Sequence, residues 1–120
     1  MTRTLRRFPV LEGKEALLRS KLRELLGRGA EVVSALRYEG CRLHRIYLEQ
    51  EEEGVFLIVE REDERPVQPS FAEREAATGN SIYRVLNTIV IQCLDAAAVE
   101  ELDSETVLDL VPFTDFVLRK

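Results

Sequence analysis

Leu43-His44-Arg45-Ile46-Tyr47-Leu48-Glu49-Gln50-Glu51-Glu52-Glu53-Gly54-Val55-Phe56-Leu57-Ile58-Val59-Glu60 reads as two strands joined by an acidic tip. Apolar residues recur along Leu43 to Glu49 and again along Val55 to Glu60, in runs short enough for strands and rich in strand-forming residues. The tip Glu51-Glu52-Glu53-Gly54 suits a four-residue turn, with Gly54 supplying a left-handed backbone. That loop pairs Gln50 with Val55, Leu48 with Leu57, Tyr47 with Ile58, Ile46 with Val59 and Arg45 with Glu60. The last pair places opposite charges across the strands, which favours this register. One loop residue more or less would set His44 against Glu60 instead. Two unlike faces follow. Ile46, Leu48, Leu57 and Val59 make an aliphatic face that belongs beneath helices. Leu43, Arg45, Tyr47, Phe56, Ile58 and Glu60 mix aromatic, aliphatic and charged groups, the composition of an interface or a pocket.

Upstream, the apolar run Leu5 to Leu11 predicts a strand, and Pro9 assigns it to an edge or a local irregularity because proline has no N–H to donate. A helix opens at Gly13-Lys14-Glu15, and Leu18, Leu22, Leu25, Val32, Val33 and Leu36 form its buried stripe. Gly27 and Gly29 interrupt it, so it is either one long helix that bends or two that meet there. The stripe resumes in phase, which favours one long helix, ended by Gly40. Downstream, Asp63 to Gly79 is a polar loop broken by Pro66 and Pro69, with a short helical turn at Phe71 to Ala77. A second helix runs from Ser81 to Leu94, capped at Asn80-Ser81. Ala96 to Leu102 suggests a short helical turn, and Thr106 to Leu118 a last strand with a bend near Pro112. The order is β-α-β-β-α-β: an α+β protein with residues 1–120 in a single domain, a four-stranded antiparallel sheet and two helices on one face.

With 120 residues, 45% of them hydrophobic, the chain is large enough to bury one core. Charges interrupt every long apolar stretch, which excludes a membrane-spanning helix, and the start lacks the apolar core of a secretory signal, so a cytoplasmic location is expected. A net charge of −5 disfavours a nucleic-acid partner. The basic group Arg3, Arg6 and Arg7 reads as a solvated strand edge or as a phosphate contact. Cys41 and Cys93 read as reduced, buried thiols. One His and no Cys-x-x-Cys leave no metal-ligand set, and no cofactor is expected.

The element order resembles the ferredoxin-like split fold. Val10-Leu11-Glu12-Gly13-Lys14-Glu15 ahead of a long helix is similar to the opening of the dimeric α+β barrel superfamily. Ile46-Tyr47-Leu48-Glu49 and Asp115-Phe116-Val117-Leu118 fit its second and fourth strands. The resemblance implies a homodimer in which two open sheet faces meet, with Tyr47, Phe56 and Ile58 at the interface. Burial of that face supplies the driving force, at roughly 25 cal/mol per Å² of apolar area. The superfamily includes haem-degrading and quinone-forming monooxygenases, mutarotases, dye peroxidases and small proteins of no known activity, and the chain is most similar to the last group. Its only His, His44, lies in a predicted strand rather than on a helix as a haem ligand would. Arg19, Lys21 and Arg23 occupy the stretch where a mutarotase-like protein carries its catalytic His, and the chain has no Trp. An RNA-recognition domain would need more exposed strand aromatics than Phe8 and Phe56.

No catalytic signature stands out, so an enzymatic role is left open. His44 is a candidate general base, or a strand-end His satisfied by a neighbour or by water. Arg45, Tyr47 and Glu60 are candidates to line a cavity, Arg45 holding a ligand carboxylate and Tyr47 donating a hydrogen bond; as a plainer reading they pair within an interface. Tyr38 and Tyr83 read as packing residues with wet hydroxyls, Glu51 to Glu53 as a solvated tip or a cation site, and Asp103 and Glu105 as a turn. Three roles follow: a homodimer that is non-enzymatic or binds a small organic ligand, a cofactor-free enzyme using His44, Tyr47 and Glu60, or an interaction module for protein or RNA.

Overall fold

The hairpin adopts the expected register. β2 (Cys41–Glu51) runs antiparallel to β3 (Gly54–Asp63), with Arg45 opposite Glu60, Tyr47 opposite Ile58 and Gln50 opposite Val55. The computed structural model describes residues 1–65, 67–103 and 109–118. Around the hairpin lie β1 (Thr2–Pro9), β4 (Glu100–Glu101) and β5 (Thr114–Val117). The described residues form an antiparallel sheet of five strands, not four, in the order β4-β1-β3-β2-β5.

The extra strand comes from the end of the chain. Ala96–Ala98 makes the expected helical turn, but Glu100–Glu101 then extends and pairs with Arg6 and Arg7. The last strand is shorter than the pattern suggested, though Phe113, outside β5, still donates its N–H to the Ile46 carbonyl at 2.7 Å. Glu105, and Thr106 to Leu108 of the expected last strand, lie outside the described residues, as does Pro66. β1 starts at Thr2 and lies between β3 and β4 rather than at the edge. Pro9 ends it, so its missing donor breaks no ladder.

The first helical stretch is two helices, α1 (Glu15–Gly27) and α2 (Gly29–Glu39), rather than one. Arg28 leaves the helical region at φ −116° and ψ 39°, and its guanidinium bonds Glu24, Glu31 and Ser81 Oγ. Two flanking glycines make that break inexpensive. Both helices still face the core, through Leu18, Leu22 and Leu25 in α1 and Val32, Ala35 and Leu36 in α2. α3 (Phe71–Thr78) starts at Ser70, whose Oγ accepts the Glu73 N–H at 3.2 Å. α4 (Ile82–Thr88) starts where Asn80 Oδ1 accepts the Ile82 N–H at 3.1 Å, and runs on into a π-helical turn, Ile89–Cys93.

The helices cover the face bearing Ile46 and Leu57, which join Leu22, Leu36, Ile82 and Cys93 in the main core. The opposite face is not open. Leu5, Tyr47 and Ile58 form a second cluster against which Leu102 and Leu110 pack, leaving Tyr47 4% and Ile58 0% exposed. The chain passes from β4 at one sheet edge to β5 at the other, and it brings those two leucines onto this face. Phe56 is partly buried, with the Arg7 guanidinium 3.6 Å above its ring. Among the described residues no helix is long and apolar enough to cross a membrane.

Two glycines separate backbone strain from helix propensity. Gly40 ends α2 at φ 71°, so Gly40→Ala should cost about 1–2 kcal/mol in chemical denaturation. Gly27 sits in the last turn of α1, and a Cβ there meets nothing within 4 Å. Gly27→Ala should gain roughly 0.5–1 kcal/mol in the same experiment.

Candidate functional site

Strand alternation separates the sequence candidates. Arg45 and Tyr47 stand on the face under Leu102 and Leu110, whereas His44 stands on the helix face. On the first face Glu60 is 1% exposed. One oxygen accepts the Tyr47 hydroxyl at 2.8 Å and lies 3.7 Å from Arg45 Nη1; the other pairs with Arg3. Arg45 Nε also donates to Asp115 at 2.7 Å. Burial, then the hydrogen bond to Glu60, pushes the Tyr47 hydroxyl up to about 12, so it keeps its proton. Arg45, Tyr47 and Glu60 do meet, but they satisfy one another and, with Arg3, lock β1, β2 and β3 together. Tyr47 and Ile58, expected at a dimer interface, are buried within the single chain.

The helix face carries a second polar group that the sequence reading missed. Glu39, the last residue of α2, is also 1% exposed. Its Oε1 accepts from Arg61 Nη2 at 2.7 Å, and its Oε2 from the Tyr83 hydroxyl at 2.8 Å. Arg74 Nη1 of α3 lies 3.1 Å from the same Oε2. Arg61 also donates to both oxygens of Asp63, at 3.0 and 2.7 Å. Tyr83 is therefore buried and bonded rather than wet, and burial followed by the Glu39 contact raises its pKa. The Arg61 position was legible, since pairing Arg45 with Glu60 places Arg61 opposite His44. Nothing in the local sequence around Arg74 pointed to Glu39.

This network borders open space. A cavity of about 200 Å³ lies between the sheet and α3–α4, walled by Phe8, Leu57, Val59, Ile89 and Leu94, with Thr4, Arg6, His44 and Arg61 at its polar side. A neighbouring cavity of about 270 Å³ is lined by Arg6, Arg61, Asp63, Gln68 and Arg74. The two share Thr4, Arg6, Arg61 and Phe71, so they form one groove with an apolar and a polar half. A separate space of about 20 Å³ lies behind His44 and Thr114, between the sheet and α2. His44 Nδ1 and Thr114 Oγ1 are buried without a hydrogen-bond partner among the described residues. Burial, and secondarily Arg61, lowers His44 to about 4. It is therefore neutral at physiological pH and a weak base.

The basic group of β1 is divided by the same alternation. Arg6 lines the groove, while Arg3 and Arg7 are held on the far face by Glu60 and by Glu49 and Glu100. Cys41 and Cys93 are free and buried, and burial pushes Cys41 up to about 12, so its thiol is no nucleophile. Among the described residues no group of three or more His, Cys, Asp or Glu side chains is arranged to hold a metal ion. The acidic residues Glu51 to Glu53 are exposed at the hairpin tip. Comparison with family models, with curated proteins and with solved structures finds no match.

Two measurements probe these faces. An ordinary His titrates near 6.5 and folded His44 near 4, so between those values the unfolded chain binds a proton that the folded chain refuses. The resulting stability is complete above pH 6.5 and is lost as pH falls towards 4. Going from pH 7 to 5, the wild type should lose up to about 2 kcal/mol more than His44→Gln in urea denaturation. Parallel losses would show that His44 takes up its proton as readily folded as unfolded. On the other face, Tyr47→Phe should cost about 1–3 kcal/mol because it removes a donor from buried Glu60.

Proposed function

We propose that this chain is a small-ligand-binding protein and that its site is the groove between the sheet and α3–α4. The observation that carries this reading is the groove itself. It has an apolar wall of Phe8, Leu57, Ile89 and Leu94, a polar end at Arg6 and Arg61, and His44 where the two meet. Ligand sites are mostly apolar clefts with a few placed polar groups. Binding fits better than turnover. His44 is a weak base at neutral pH, the Cys41 thiol stays protonated, and Tyr47 and Glu60 are occupied with each other.

The same reading takes the fold as ferredoxin-like, in support of which β4, β1, β3 and β2 follow the strand order of the split β-α-β arrangement, with β5 added beyond β2. It places the ligand within one chain. A homodimer formed through the far sheet face would first have to displace Leu102 and Leu110. A cytoplasmic location belongs to the proposal as well, since two free buried thiols suit a reducing compartment.

The test is titration with the neutral apolar dye Nile red, read by fluorescence. Val90 lines the groove and is half-buried, so Val90→Trp should fill it and weaken dye binding about tenfold or more, with thermal stability retained. Val99→Trp, at an exposed position outside the lining, should bind as the wild type does. Equal binding by the wild type and Val90→Trp would remove the groove as the site.

A further inference from the structure

We infer that the groove's ligand is an amphipathic organic acid, an apolar chain or ring bearing one carboxylate or phosphate head, with Arg6 as the residue that selects the charge. This rests on the groove being a binding site and concerns what it takes.

The apolar half admits hydrocarbon. Phe8, Leu57, Val59, Ile89 and Leu94 offer no donor or acceptor side chain, so a polar group placed among them would lose its hydration without replacement. The polar half collects three guanidinium groups, from Arg6, Arg61 and Arg74. Two of these are already balanced, because Arg61 and Arg74 face the carboxylates of Glu39 and Asp63. Those contacts fix both side chains, yet Arg61 Nη1 and Arg74 Nη2 keep donors that bond no described residue. Arg6 supplies the charge that no carboxylate of the lining offsets. Its carboxylate neighbour among the described residues, Glu101, is 3.4 Å away with a side chain 75% exposed, a surface pair worth little. Among the described residues the lining sets three guanidinium groups against Asp63 and the Glu39 behind them, one positive charge in excess next to prearranged donors, the complement of a single anionic head. A planar guanidinium grips a carboxylate or a phosphate through two parallel hydrogen bonds. A cationic ligand would meet the same charge as repulsion. A neutral one would leave the donors to water.

The experiment compares octanoate, octyl phosphate and octanol by calorimetric titration against the wild type and Arg6→Gln. Arg6 is half exposed, so this variant should fold normally. At least one acid should bind about tenfold or more tightly than octanol, and the tighter acid identifies the head. Arg6→Gln should remove most of that advantage and leave octanol unchanged. High salt should act in the same direction as the substitution. Octanol binding as tightly as both acids would overturn the inference while leaving the groove as a site. So would binding of Nile red with none of the three. Failure of the dye and of all three ligands would sink the binding reading, and the inference with it.

Discussion

The buried carboxylate of Glu39 is the tie on which the helix layer depends. It ends α2, and from that point it holds Arg61 on β3, Arg74 on α3 and Tyr83 on α4. A lone carboxylate at such a depth would be costly, and two guanidinium groups with a phenol hydroxyl offset the lost hydration. Because the partners come from separate elements, the charge can be satisfied only when those elements are in place. α3, whose sequence is polar and whose helix is short, is anchored through Arg74, which also donates to the Pro69 carbonyl and lies over the Phe71 ring.

The far face repeats the same construction. Glu60 is met by Tyr47, Arg3 and Arg45, as Glu39 is met by Tyr83, Arg61 and Arg74. One difference separates a lock from a site. Around Glu60 the neighbouring space is filled by Leu5, Ile58, Leu102 and Leu110. Beside Glu39 the sheet and helices stand apart, and Arg61 and Arg74 border a groove. Identical chemistry therefore does structural work on one side, and on the other supplies a rigid wall for the proposed ligand.

What was legible in the sequence follows from the range of each signal. The hairpin register could be read because alternation and loop length act between residues close in the chain, and from it the meeting of Arg45, Tyr47 and Glu60 followed. The break at Arg28 could not, since α1 and α2 bury the same side and the stripe stays in phase across it. β4 is two residues long, too short for any period to be seen. That the mixed face would be buried depended on Leu102 and Leu110 arriving from far along the chain, so the composition of an interface was in fact that of a second core. Glu39 and Arg74 meet only through the tertiary fold, and neither lies in a motif.

That second core also has a schedule. Leu5, Tyr47 and Ile58 leave the ribosome well before Leu102 and Leu110, and β1, β2 and β3 can pair before either leucine exists. During that interval the nascent sheet carries a bare apolar face and an unfilled outer edge on β2, the features that invite chaperone capture or pairing with the wrong chain. The exposure ends only when residues 102–118 are free to dock, β5 closing the β2 edge and the two leucines covering the face. Until those late residues dock, face and edge stay exposed, a vulnerability that the finished molecule no longer displays.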